Sequence, residues 1–156
     1  YAYLRCVDAL LAAEGVPGAA ILREARGLTE EEKNALLGAF DKRDGRTVLL
    51  AVLGGAFAEG IDLAGERLQN VIVVSTGLPQ MDARVRAMRR YHDENGADGA
   101  FLCMTLPGMV RVIQSAGRLI RTQSDHGALL LIDSRYQRGA ERALLSGTLI
   151  GDALSG

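Results

Sequence analysis

Gln114, Arg118 and Arg121 are separated by four and then three residues. On a helix that spacing puts one amide and two guanidiniums on one face. Guanidinium forks match the oxygens of a phosphate and keep their charge at physiological pH. Phosphoryl transfer needs such donors, because charge on the transferring group must be stabilised. Gly117, inside the same stretch, has no side chain to obstruct a close neighbour. A solvated polar face on a surface helix fits the same spacing, and spacing alone does not choose between the two.

A second constellation lies upstream. The run Gly54-Gly55-Ala56-Phe57-Ala58-Glu59-Gly60-Ile61-Asp62 follows an apolar stretch over 47–52. Gly55 and Gly60 have the glycine spacing of a phosphate-binding P-loop, but Ile61 and Asp62 stand where that loop requires Lys and then Ser or Thr. Without the lysine there is no charge to hold β- and γ-phosphates, so the chain has no self-sufficient ATP site. Two acids, Glu59 and Asp62, still stand where a strand hands over to a loop, the place where α/β sheets hold ligands. A strand–helix turn with solvated acids is the competing reading.

Other reactive residues offer less. His92 and His126 stand alone and receive no catalytic role, and Cys6 and Cys103 fit no zinc or iron–sulfur spacing. Arg84, Arg86, Arg89 and Arg90 form a basic run that spans more than one helical face and reads as solvated surface.

The elements that must position these residues follow from periodicity. Apolar spacing predicts a helix over about residues 2–14 and a short strand at 19–22. Thr29 with Glu32 three residues on is a capping-box pattern that starts a second helix, with Leu36, Leu37 and Phe40 on its buried side. Continuous apolar runs at 47–52, 71–74 and 128–132 suit parallel strands covered on both faces. Between the last two runs lie a helix over about 80–95 and another that starts near Pro107 and runs to about Arg121; a last helix follows Tyr136. Alternating strands and helices in 156 residues predict one three-layer α/β domain.

Composition bounds the function. Hydrophobic residues make up 48% and charged residues 24%, ordinary for a folded domain. The formal net charge of −1 argues against a protein that coats nucleic acid through bulk charge. No apolar run reaches the length of a membrane span, no signal peptide opens the chain, and a cytoplasmic location is expected.

The two constellations together resemble motifs V and VI of superfamily 2 helicases, and most closely the C-terminal helicase domain of the DinG and XPD family. Glu59 to Asp62 match that family's Glu-Gly-Ile-Asp loop. Gln114, Gly117, Arg118 and Arg121 match its Gln-x-x-Gly-Arg-x-x-Arg helix. Asp133, Arg135 and Tyr136 match its Asp-x-Arg-aromatic turn, Thr76-Gly77-Leu78-Pro79 its strand end after motif V, and Leu106-Pro107 the start of the motif VI helix. The likeness covers nearly the whole chain.

The resemblance implies a RecA-like three-layer αβα domain with a mainly parallel sheet, the second motor domain of a longer ATP-dependent DNA helicase. ATP with Mg2+ would bind between this domain and a first RecA-like domain of the same protein. That first domain would carry the P-loop lysine, the Asp-Glu box and any iron–sulfur cluster, so residues 1–156 alone are expected to be inactive. Arg121 would be the arginine finger, Arg118 would also reach phosphate and Gln114 would sense the nucleotide. Glu59, Gly60, Asp62 and Gly117 would complete the nucleotide side. Ser75, Thr76 and Pro79 would hold single-stranded DNA through backbone contacts. Asp133 and Arg135 would form a turn supporting the motif VI helix. A nucleotide-regulated nucleic-acid clamp without turnover is the alternative.

Overall fold

The computed structural model describes residues 2–40, 45–55, 57, 68–119, 126–137 and 139–148. The chain divides into two compact units, Tyr1–Ile61 and Asp62–Gly156. Each is built on a pair of parallel strands.

In the first unit, helix α1 (Ala2–Glu14) leads to strand β1 (Ala19–Arg23), helix α2 (Glu30–Phe40) and strand β2 (Arg46–Leu50). The capping box forms as its residue types predict. The Glu32 amide donates to Thr29 Oγ1 at 3.2 Å, and the Thr29 amide donates to the Glu32 carboxylate at 2.8 Å. Three acids in the first turn of α2 favour its positive end, and its apolar side is half-buried rather than fully covered. β1 and β2 pair in register from Ala19 with Arg46 to Arg23 with Leu50.

In the second unit, strand β3 (Asn70–Val74) is followed by helix α3 (Ala83–Glu94). Asp82 caps α3 by accepting the Val85 amide at 2.8 Å. Next come a π-helical segment (Phe101–Thr105), helix α4 (Leu106–Ala116), strand β4 (Ala128–Ile132), a 3₁₀ turn (Ser134–Gln137) and helix α5 (Gly139–Thr148). β3 pairs with β4 in parallel, Asn70 with Ala128 through Val74 with Ile132.

The core of this unit gathers on α4. Met109 and Val112 are fully buried and Ala116 nearly so, a stripe at three- and four-residue spacing; Val73, Cys103, Leu119, Tyr136 and Leu145 are the other buried apolar side chains among the described residues of this unit. Burying side chains such as Met109 and Val112 stabilises by roughly 1.5–3 kcal/mol each.

Two sequence expectations change here, and one is met with an addition. The α-helix carrying Gln114 begins at Leu106, beside Pro107 as expected, and a π-helical segment runs straight into it. Proline has no N–H and its ring crowds the carbonyl four residues back. The turn before it is wide, with the Leu106 amide donating to Phe101, five residues back. α4 does not continue as regular helix to Arg121. It ends at Ala116: the Gly117 amide still bonds four residues back, to Ile113 at 2.8 Å, but those of Arg118 and Leu119 bond only three back, to Ser115 at 3.4 Å and Ala116 at 3.0 Å. Finally, the apolar runs of β3 and β4 are not covered on both faces among the described residues. Ile72, Leu130 and Ile132 share one face and are about half exposed or more.

Candidate functional site

The best-defined polar constellation lies at the carboxyl end of β3. The Ser75 amide donates to Ile132 at 3.1 Å, which extends the β3–β4 ladder by one bond. The chain then turns sharply, with Ser75 at φ 74°, the one described non-glycine residue in the left-handed region. A side chain there costs on the order of 1–3 kcal/mol and persists only where the surroundings enforce it.

The enforcing groups come from the turn after β4. Tyr136 Oη donates to the Ser75 carbonyl at 2.5 Å, and Arg135 Nη2 donates to Ser75 Oγ at 3.2 Å. Arg135 is in turn forked onto Asp133, Nε to Oδ1 at 2.8 Å and Nη2 to Oδ2 at 2.6 Å, while its amide donates to Oδ1 at 3.0 Å. The hydrogen bond from Arg135 holds the Asp133 carboxyl well below its ordinary range, at about 2. Burial pushes the Tyr136 phenol up to about 12, so it remains a hydrogen-bond donor at any physiological pH.

Beyond Ser75 the chain presses on α4. The Thr76 side chain is fully buried, and its Oγ1 has no hydrogen-bond partner among the described residues. A Cβ placed on Gly108 would lie 2.5 Å from the Thr76 carbonyl oxygen and 3.2 Å from Gly77 and Leu78 backbone atoms. Glycine is therefore required where α4 meets this segment. One turn along, Arg111 Nη1 donates to the Gly77 carbonyl at 3.4 Å. Pro79 follows, half-buried, beside an exposed Leu78.

Gln114 lies on the same helix, exposed on the side opposite the buried stripe with Val110. Arg118 is half-buried in the turn past the helix end, so the helical face that its spacing predicts is interrupted there. Gly117 caps α4, and a Cβ on it would meet only the Ile113 and Gln114 carbonyls among the described residues, at 3.2 and 3.8 Å. Arg121 lies outside the described residues, as do Glu59, Gly60 and Asp62.

The approach to that acidic loop is described, and it shows a residue that sequence reasoning missed. Glu24, just past β1, is only 6% exposed. Its carboxylate accepts the Val52 amide at 2.7 Å, just past β2. A Cβ on Gly55 would lie 2.8 Å from the Val52 carbonyl oxygen, a backbone atom, and 2.5 and 2.9 Å from the Glu24 carboxylate oxygens, which explains glycine there. An acid two residues past the apolar pair Ile21-Leu22 was the available signal, but in sequence it is indistinguishable from a solvated acid. Gly108 and Arg111 were missed for a similar reason, because Pro107-Gly108 reads locally as a helix start.

The basic run on α3 lies on an exposed helix. Arg86, Arg89 and Arg90 line an open groove of about 600 Å3 together with Met81, Asp93 and Glu94. Arg86 donates to the Met81 carbonyl at 3.0 Å and Arg89 pairs with Asp93 at 3.7 Å. No cluster of three His, Cys, Asp or Glu residues among the described residues could hold a metal ion.

The family model of the helicase C-terminal domain matches residues 1–149. The chain belongs to that family. Its relatives place it with the C-terminal helicase domains of DinG- and XPD-like proteins. A regulator of telomere elongation helicase 1 homolog from Anopheles gambiae is 37% identical over 107 residues, covering 64% of this chain and 11% of that protein. A probable ATP-dependent helicase of Methanocaldococcus jannaschii is 32% identical over 125 residues, 71% of this chain and 18% of the relative. The ATP-dependent DNA helicase DinG of Photobacterium profundum is 33% identical over 93 residues, 58% of this chain and 13% of the relative. This chain thus spans less than a fifth of each of these helicases. A solved structure of XPD in its apo form superposes with a TM-score of 0.68 at 20% identity, covering 91% of this chain and 29% of that one. The shared fold is the α/β fold of a RecA-like helicase domain.

Proposed function

We propose that residues 1–156 form the second motor domain of a longer ATP-dependent DNA helicase, contributing motif V and motif VI residues to an ATP site shared with a first RecA-like domain. The observation that carries this reading is the set Gln114, Gly117, Arg118 and Arg121 inside a chain that the helicase C-terminal family model matches over residues 1–149. In this reading Arg121 is the arginine finger, Arg118 a second phosphate donor and Gln114 a nucleotide sensor. Glu59, Gly60 and Asp62 couple the nucleotide to the DNA side, and Gly117 ends the helix that carries Gln114.

The donor set suits this division of labour. The chain offers guanidinium and amide donors, which fit phosphate oxygens, and among the described residues no group of three His, Cys, Asp or Glu could hold a metal ion. Mg2+ would be held by the first domain together with ATP, where it supplies charge neutralisation of the phosphates. Single-stranded DNA would cross the carboxyl end of β3, held through the backbone at Ser75, Thr76 and Pro79. A backbone role agrees with the Thr76 side chain being buried. Contacts of that kind carry no sequence preference.

The test is DNA-stimulated ATP hydrolysis by the complete helicase, with and without Arg121→Ala. An arginine finger predicts a loss of roughly 10³-fold or more in turnover with folding intact. Unchanged turnover in the variant removes the finger assignment. A wild-type protein that binds DNA and nucleotide yet never hydrolyses ATP is instead a nucleotide-regulated clamp.

A further inference from the structure

We infer that Asp133, Arg135 and Tyr136 act as a latch: they are positioning residues that hold Ser75 in its left-handed conformation and thereby set the path of residues 76–79 over α4. The nucleic-acid consequence of this inference rests on the function proposed above; the latch itself rests on geometry alone.

Three polar groups of Ser75 are each engaged from β4 or the turn that follows it. Its amide meets Ile132, its carbonyl meets Tyr136 and its hydroxyl meets Arg135. One residue is thus pinned at three points in a conformation that side-chain-bearing residues rarely adopt. Arg135 is itself oriented by a bidentate bond to Asp133, so its reach to Ser75 is pre-set rather than searched for.

What the latch controls lies one residue further on. Turning at Ser75 drives the Thr76 side chain fully inside and lays the Thr76 carbonyl against Gly108, where no Cβ could fit. Arg111 holds the next carbonyl, that of Gly77. The same helix carries Gln114 on its exposed side. The β4 turn, the 75–79 segment and α4 therefore form one contiguous path of packed and bonded atoms. The sequence reading made Asp133 and Arg135 a support for the motif VI helix; the structure has them act on that helix through Ser75 and Thr76.

The experiment uses the complete helicase and two variants. Tyr136→Phe deletes only the hydroxyl, and Arg135→Gln deletes the fork while leaving the Tyr136 bond in place. Amide exchange at Thr76, Gly77 and Leu78 is measured on each. So is the concentration of an oligo(dT) strand that half-saturates ATPase stimulation. The latch predicts faster exchange at those three amides and a half-saturating concentration raised roughly 3- to 10-fold, the worth of one hydrogen bond. Turnover at saturating oligo(dT) stays near wild type. Adding Ser75→Gly to Tyr136→Phe should return half-saturation to within about 2-fold of wild type, because glycine takes positive φ without a Cβ penalty. Unchanged exchange at the three amides in both variants overturns the latch, as does a Ser75→Gly addition that restores nothing. A wild type that neither binds nor responds to oligo(dT) overturns the function reading instead, and exchange alone then decides the latch.

Discussion

Both units end a parallel strand pair with a side chain that grips backbone beyond the strands, but they do so with opposite chemistry. In the first unit the carboxylate of Glu24 accepts the Val52 amide, so an anion serves a loose N–H. In the second unit the Tyr136 hydroxyl and the Arg135 guanidinium donate to the carbonyl and hydroxyl of Ser75. The difference follows from which group each chain reversal leaves unpaired. Past β2 the amide needs an acceptor. At Ser75 the amide is still in the ladder, and it is the carbonyl that turns away. The carboxyl ends of strands are where such sheets hold ligands. Glu24 holds the backbone just past β2, a few residues ahead in sequence of Glu59–Asp62, which lie outside the described residues, and Tyr136 and Arg135 hold the start of the 75–79 segment.

The largest stability effect that sharpens this contrast is expected from Glu24→Ala. It removes a buried charged acceptor and leaves the Val52 amide unserved, at a cost of about 1.5–3 kcal/mol. Hydrogen exchange should speed at Val52 and leave the amides of residues 75–78 unchanged. Faster exchange in both places would show that the two grips are not independent.

Gly108→Ala comes next. Its new methyl would meet a backbone carbonyl, which cannot rotate aside, so a loss of about 1–3 kcal/mol is expected in denaturant unfolding. A neutral result would mean that α4 can move away from the 76–78 backbone, contrary to a rigid path from Ser75 to the helix.

A smaller effect depends on pH. The Asp133 carboxyl is lowered from 3.8 to about 2 in the folded protein by its hydrogen bond with Arg135. A depressed folded value means that this stabilisation is complete above pH 3.8 and disappears as pH falls through about 2. Asp133→Asn should therefore lose stability at neutral pH and flatten the acid limb between those values, with variant and wild type converging below it. Parallel acid limbs would show that the pair contributes nothing to folding.

The smallest effect separates backbone from side chain at the proposed DNA-holding segment. Thr76→Val keeps the shape and removes a buried hydroxyl that has no partner among the described residues. Stability should stay level or rise by up to about 1 kcal/mol, with oligo(dT) binding unchanged. Weaker binding with unchanged stability would assign the hydroxyl a direct role.

The sequence by itself determined the elements and the family. The capping box at Thr29 and Glu32, the apolar runs that became β1 to β4 and the motif order from Glu59 to Tyr136 are all local patterns. Local backbone preference and side-chain periodicity suffice to produce or reveal them. Tertiary structure alone decided the rest. Pro107 lies inside a continuous helical run because a wide turn precedes it, Arg118 leaves the regular helix because α4 tightens after Ala116, and Ser75 carries positive φ because two donors from another segment hold it there. Glu24 and Gly108 became legible only with their partners, 28 and 32 residues away, in view. Hydrogen bonds and close approaches between distant residues leave no period in a sequence, since each is specified by where two backbones meet.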